Sequence, residues 1–534
     1  MNPHRLRAPS RDGAVLADPP IPDALPLLAD NTERLKRWDY DFQGRVVGRL
    51  RLMAWRQILE KSVDYLTSVG LDVPALPDPS VPLIVTGHQP ELFHPGVWIK
   101  NFGAAALAKK AGGSALNLIV DNDLPKATSV RVPVLDREHL RTQRVDFDSW
   151  GGETPYEDLN VVDEERFAQF AGNVREVLGK SVADPIIDDF WPRAMEQKRS
   201  TRRIGLRFAA ARRSLEASWG MHNLEVPLSA MCETEAFHWF TSHILANLPR
   251  FQAIHNSALA RYRAMYGIRS KHHPVPALTR RDGWLEAPFW IWRADEPRRR
   301  PLLARQLPRS MELRIDGEDE PLMEIPLGPD REACCAVDQL LTLPARRIRL
   351  RSRALTTTMF SRLLLGNIFI HGIGGAKYDE LGDEIVRQFF RIEPPSYLTL
   401  SMTLWLGLGN DPSTPDQLHR VDRTLRDLTY NPDRYLNGAP SSEALGWVEA
   451  KRRAILAPQV TPQERKARFL EIRRCNEALQ PLMVDTRQQL TEEQAEVRQG
   501  LRRNALARNR EYSLVLHSES RLRDALAEGD VWPG

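Results

Sequence analysis

The chain is poor in cysteine. Four residues of 534 (Cys232, Cys334, Cys335 and Cys475) form no C-x-x-C pair. That excludes a disulfide framework and a zinc-finger scaffold and leaves reduced thiols as the expectation. Net charge is equally scarce: 74 Lys+Arg stand against 70 Asp+Glu, a formal +4. A dedicated nucleic-acid binder carries a larger or more segregated basic excess, so nucleic acid is an unlikely partner. Long apolar runs are missing too, the stretch around Leu363–Leu365 being flanked by Arg362 and Asn367, which predicts no membrane segment. No apolar stretch precedes the prolines of the first twenty residues, which predicts no secretory leader and a cytoplasmic location. No repeat recurs at a fixed period. The 42% hydrophobic and 27% charged composition argues against disorder, and the length predicts about three structural units.

Within those limits the pattern alternates. Residues 1–30 read as an irregular arm and Asn31–Val69 as helical, together an N-terminal segment over 1–80. From 81 to 133 a short apolar strand (Leu83–Thr86), a polar loop, a helix (Val97–Ala111) and a second strand (Leu116–Val120) predict a βαβ unit with buried strands. Residues 134–220 read as a mainly helical insertion. The region 221–272 resumes the alternation, with strands expected at Leu224–Met231 and Phe251–His255. A small β-rich insertion is expected over 273–350. The range 351–410 completes the core, with a strand at Asn367–His371, a glycine turn at Gly372–Ala376 and a helix from Asp379. Residues 411–534 read as helical. Thr414-Pro415 and Thr461-Pro462 mark helix starts. Phe469, Ile472, Asn476, Leu479, Met483 and Leu490 approximate a coiled-coil spacing, consistent with a dimer seam or with a hairpin on the same chain. The fold class is therefore α/β, a Rossmann-like core split by insertions and followed by a helical arm.

Three loops are candidates for chemistry, because ligands of open parallel sheets bind beyond the carboxyl ends of the strands. The first is Thr86–Gly96. Gly87 and Gly96 permit close backbone approach, Gln89 and the following helix's Lys100 offer polar groups, and His88 and His94 are candidate general acid/bases. The two histidines could instead cap loop backbone or hold a metal, but their spacing is no zinc signature and no metal site is expected. The second is Asp121-Asn122-Asp123, two acidic groups at a strand end that could bind an amine, a ribose or Mg²⁺, Asp123 orienting the amine in the first case. The third is Ile370–Asp379, where His371, Gly374, Gly375 and Lys377 could cradle an anion, although no P-loop spacing is present. A softer set, His273, Glu286 and Trp290, reads either as a lid or as the core of the β module.

TGHQPELFHPGVWIKNF followed by DNDLPKATSVRVPV resembles the paired loops of the bacillithiol synthase (cysteine-adding) family, and Arg353–Leu355 through Gly372–Gly375 is similar to that family's later motifs. The resemblance implies a nucleotidylyltransferase-like Rossmann core with inserted connecting domains and a C-terminal coiled-coil arm. It also implies cysteine, or a similar small amino acid, joined to the amine of an amino-sugar acceptor such as a glucosaminyl malate, and a homodimer through the C-terminal helices. This chain departs from the family at His88, His94-Pro95-Gly96 and Asn122. His94-Pro95-Gly96-Val97 half-matches the H-x-G-H loop of nucleotidylyltransferases, so ATP or ADP with Mg²⁺ is the alternative cofactor and adenylyl transfer the alternative reaction. A non-catalytic nucleotide-binding scaffold is the third reading.

Overall fold

A computed structural model describes residues 6–136, 139–436, 438, 440–458 and 460–528. It divides into two units, one of residues 1–132, 143–406 and 510–534 and one of 133–142 and 407–509. Residues 1–5 of the expected arm lie outside the described residues.

The strands are β1 (Val15–Asp18), β2 (Leu83–His88), β3 (Ser114–Ile119), β4 (Ser129–Asp136), β5 (His139–Asp146), β6 (Leu224–Pro227), β7 (Arg280–Arg281), β8 (Trp284–Arg293), β9 (Glu296–Gln306), β10 (Met311–Ile315), β11 (Met323–Ile325), β12 (Ile348–Ser352), β13 (Ile368–His371) and β14 (Leu398–Met402). Six form one sheet in the order β1-β14-β13-β2-β3-β6. All its pairings are parallel except that of the edge strand β1. Its inner strands are buried on both faces, which is why they read as near-continuous apolar runs. The helix Pro95–Ala111 joins β2 to β3. Pro95 fits its first turn, and Gly112, at φ 61°, supplies the left-handed residue that ends it. A second, antiparallel sheet, β11-β10-β9-β8-β12, is the β-rich module expected over 273–350, and β4 pairs with β5.

Several elements differ from the sequence reading. The arm contains β1 and a helix, Ala24–Lys36, and the helical stretch after Asn31 is broken before a second helix at Val47–Ser68. Phe251–His255 is not a strand but part of the helix Leu248–Tyr266. A short apolar run has no decisive period, and Phe251 and His255 are buried one helical turn apart. The strand begun at Leu224 stops at Pro227, after which the chain makes a helical turn. The insertion after 134 opens with the β4–β5 pair before its helices Glu164–Leu178, Ile187–Glu196 and Ile204–Ser218. β14 was not expected. The glycine turn is not a loop: the helix Ile373–Phe389 starts at once, so Gly374 and Gly375 occupy its first turn.

The second unit is built on the helices Pro415–Tyr430, Ser442–Leu456, Pro462–Leu479 and Val484–Ala507. Thr414 and Thr461 cap their helices as expected, accepting from the amides of Gln417 and Glu464. A 3-10 turn, Gln480–Met483, carries Pro481 and divides the expected seam between two helices. Asn476, Leu479 and Met483 are buried, while Phe469 is 63% exposed. Among the described residues no helix is long and apolar enough to cross a membrane.

Candidate functional site

Because β2, β3 and β13 run parallel, the loops after them emerge on one side of the sheet. There they meet β8, β9 and the segment after β12 around a cavity of ≈ 640 Å³. Gly87, His88, Gln89, Lys100, Asn122, Asp123, Trp290, His371, Gly374 and Gly375 all line it, so three loops far apart in sequence share one space. His94, Gly96, Asp121, His273, Glu286 and Lys377 do not line it.

At the end of β2 the His88 ring lies 3.2 Å from both the Gln89 carbonyl (Nδ1) and Asn101 Oδ1 (Nε2). Both neighbours are acceptors. Asn101 cannot turn round, because its amide donates to Glu216 Oε1 at 2.8 Å. A neutral imidazole has one N–H, so only one of the two contacts is a hydrogen bond. Burial, with the charges of Lys100 and Arg212, holds the His88 pKa well below the usual histidine value. His88 is therefore a neutral, fixed wall. His94 does different work: its Nδ1 accepts from the Gly96 amide at 3.1 Å and caps the helix Pro95–Ala111. Burial holds its pKa down at about 4. Gly96 is needed for close packing, since a side chain there would overlap the Met402 carbonyl and Arg510.

Asp123 is tied down on both oxygens, accepting from Gln89 Nε2 at 2.9 Å and from Arg299 Nη1 at 2.9 Å. Asn122 donates to the Ser352 carbonyl at 2.8 Å. Asp121 turns inward instead, accepting from the Ser229 amide at 2.8 Å and its hydroxyl at 2.5 Å. Burial and the nearby Glu157 push its pKa up to about 7. Lys100 is 5% exposed and donates to the Gly87 carbonyl at 2.6 Å, with burial pulling its pKa down to about 7.

The third segment holds a group for proton transfer. His371 Nε2 lies 2.6 Å from Asp379 Oδ2, and that carboxylate also accepts from Arg362 Nη1 at 2.9 Å and the Thr358 hydroxyl at 2.7 Å. Burial opposes ionisation of Asp379, but the His371 and Arg362 charges outweigh it and hold the carboxyl well below the carboxylate range. The carboxylate thus fixes the ring with Nε2 as its donor and leaves Nδ1 as the free nitrogen. Nδ1 faces the first helical turn, where a Cβ on Gly375 would sit 2.7 Å away. Lys377, beyond that turn, is exposed.

On the facing module, Trp290 is flanked by two guanidiniums, Arg353 at 4.0 Å and Arg299 at 5.2 Å from its ring. Glu286 fastens Arg353, accepting from its Nη1 at 2.8 Å, and also accepts from the Thr279 hydroxyl at 2.7 Å. Arg353 Nε and Nη2 and Arg299 Nε are buried without a protein partner. Leaving donors buried and unpaired is costly, and stacking on the Trp290 ring offsets only part of that cost. His273 is exposed and precedes Pro274, which does line the cavity.

Neither a family model nor a curated protein matches the chain. The site is therefore judged on its own geometry.

The sequence reading did not single out Arg299, Arg362 or Thr358, and it named Arg353 only in the family resemblance and Asp379 only as the end of the third loop and the start of a helix. Asp379 follows His371 by eight residues and is brought back by two helical turns, a spacing with no local signature. Arg299 and Arg353 are single members of a large basic set, and only their place in the cavity wall distinguishes them. Lys126 also lines the cavity, and it pairs with Glu91 at 3.4 Å.

Proposed function

We propose that this cavity is the active site of a bacillithiol-synthase-like enzyme, which joins cysteine or a similar small amino acid to the amine of an acidic amino-sugar acceptor. The observation that carries this reading is the pairing, in the wall of one cavity, of His371, held by Asp379, with the guanidinium side chains of Arg353 and Arg299. Forming an amide requires a base for the attacking amine, a cationic anchor for a carboxylate and donors for the developing oxyanion. His371 supplies the base. Arg353 and Arg299 anchor carboxylate oxygens, held in place by Glu286 and Asp123. In the step itself the amine nitrogen bonds to the carboxyl carbon, the amine proton passes to His371 Nδ1, and the bond from that carbon to one carboxyl oxygen breaks as the proton is handed to it, so that acid plus amine yields amide plus water. The parallel order β14-β13-β2-β3-β6, with ligand groups at the strand ends, supports a nucleotidylyltransferase-like Rossmann core.

ATP-dependent adenylyl transfer is the second reading. It is favoured by Gly372, Gly374 and Gly375, which line the cavity where the 17-residue helix Ile373–Phe389 begins and expose its amides to a phosphate. A homodimer through the C-terminal helices is supported by Leu456, Val460 and Phe469, which are 73%, 82% and 63% exposed.

The test is incubation of the full chain with cysteine and glucosaminyl malate, with and without ATP and Mg²⁺, read by mass spectrometry. The cysteinyl amide is expected. His371→Asn should lower its rate by about 10²–10⁴-fold, and Arg353→Met should raise KM for the acidic partner. Pyrophosphate release without amide product would favour adenylyl transfer. No turnover of either kind would overturn both readings.

A further inference from the structure

We infer that Lys100 is a nucleophilic amine that captures an aldehyde or ketone ligand as an imine inside the cavity. The inference stands on the cavity and not on amide formation. Lys100 lies on the helix Pro95–Ala111, between two glycine-bearing strand ends. Its amine donates to the Gly87 carbonyl, and its stem passes 3.9 Å from the position a Cβ on Gly372 would occupy, beside His371. It lines the cavity although only 5% of the residue is exposed.

Buried lysines are usually paired with a carboxylate. Here the acidic groups of the neighbouring loops are spent elsewhere: Asp123 on Gln89 and Arg299, Asp121 on Ser229, and Asp379 on His371 and Arg362. No carboxylate forms an ion pair with Lys100 among the described residues, and its one hydrogen-bond acceptor is a neutral carbonyl. Desolvation without a counter-ion favours the free amine, and the pKa of about 7 leaves much of it unprotonated near neutrality. A group whose task was only to hold an anion would gain nothing from this, and Arg353 and Arg299 already offer permanent charge across the cavity.

The chemistry needs no oxidant and no nucleotide. The Nζ lone pair attacks the carbonyl carbon while the C=O π pair moves to oxygen, and transfer of a proton from nitrogen to oxygen gives the carbinolamine. The hydroxyl then leaves with a proton as water and C=N forms, so amine plus carbonyl yields imine plus water. His371, which lines the same cavity, relays these protons. The guanidiniums favour a carbonyl compound that also bears a carboxylate, a 2-oxo acid.

The experiment is reductive trapping of the full-length protein at pH 7 with pyruvate or glyoxylate and cyanoborohydride, followed by peptide mapping. Lys126 and the exposed Lys377 serve as references within the same digest. Lys100 should be labelled at least about tenfold faster than either, because an ordinary lysine amine is almost wholly protonated at that pH. Lys100→Arg should keep the fold, checked by its thermal melt, and lose the adduct. His371→Asn should slow labelling without moving it. Labelling of Lys100 no faster than that of Lys377 in the unmodified protein overturns the inference, whatever the variants do. Labelling without amide product leaves it standing while the proposed reaction falls, and amide product without labelling does the reverse.

Discussion

The two units differ in how much charge they bury. In the sheet-bearing unit charges are buried and shared: Arg351 between Glu157 and Glu233, Arg212 between Glu216 and Glu225, Arg362 between Asp379 and Asp383. In the helical unit ion pairs such as Arg473–Glu477 and Arg434–Asp427 sit in solvent. There the capping threonines and the buried Lys451, which donates to the Tyr430 carbonyl and pairs with Asp433, organise chain turns. Burying an ion pair adds little net stability, because desolvation offsets the attraction. What it adds is position. Charge is therefore buried mainly where the sheet-bearing unit holds side chains still, and the helical unit relies mostly on caps and packing.

The largest effect should follow from breaking one of those buried sets. Arg351 donates to both Glu157 oxygens, at 2.9 and 2.7 Å, and to Glu233 at 2.9 Å. Arg351→Met would leave Glu157, which is 2% exposed, with only the more distant Arg349 at 3.9 Å and without its hydrogen-bonded counter-ion. Urea unfolding should show a loss of roughly 3–5 kcal/mol; a loss below about 1 kcal/mol would mean that the buried charges do not hold the site.

Next comes a pH effect. Asp121 has a folded pKa of about 7, above its unfolded value of 3.8, so between those limits the folded chain holds a proton that the unfolded chain has released. Stability must then fall as pH rises through that window, by something on the order of 2–4 kcal/mol from this group. Asp121→Asn keeps an acceptor for the Ser229 amide and should remove that part of the slope. Unfolding midpoints measured from pH 4 to 8 decide the matter, and an unchanged slope would show that Asp121 stays ionised.

The parallel core and its loops were legible because β2 and β3 are apolar runs separated by one helix, with glycine and acidic turns after them. That logic expects the loops after β2, β3 and β13 on one side of the sheet; Gly87, Gln89, Asp123 and His371 line one cavity there, whereas His94, Gly96, Asp121 and Lys377, expected with them, do not. It did not separate His88 from His94, since the sequence does not say that one ring ends a strand and the other caps a helix. Phe251–His255 was misread because a buried helix and a buried strand look alike over five residues. Arg353 and Asp379 stand in the quoted motifs, but their partners were not legible for another reason: the pairs Arg353–Glu286 and His371–Asp379 are tertiary contacts, which have no period.

A smaller effect tests the helical unit's reliance on packing. Gly500, inside the helix Val484–Ala507, leaves no room for a Cβ, which would overlap Asp411 Oδ1 and Ser413 Oγ. Asn504, one turn on, bonds the same segment through the Asp411 amide at 2.8 Å and carbonyl at 3.0 Å. Alanine is the better helix former by about 1 kcal/mol, whereas forcing an atom into a packed contact costs about 1–3 kcal/mol. Gly500→Ala should therefore destabilise by a net ~1 kcal/mol in thermal or urea melts. A gain would show that the Asp411–Ser413 turn yields freely.

The smallest expected change in stability is the most informative about assembly. Phe469 is 63% exposed, so Phe469→Ser removes little buried surface and should move the unfolding midpoint of the dilute chain by no more than about 0.5 kcal/mol. If a second copy covers that face, the wild-type midpoint must rise with protein concentration and the variant's must not, because association stabilises the folded chain by mass action. Sedimentation of the two at matched concentration separates the cases. A dimer that survives Phe469→Ser together with Leu456→Ser would place the contact elsewhere, and a monomer at all concentrations would leave the exposed side chains as plain surface.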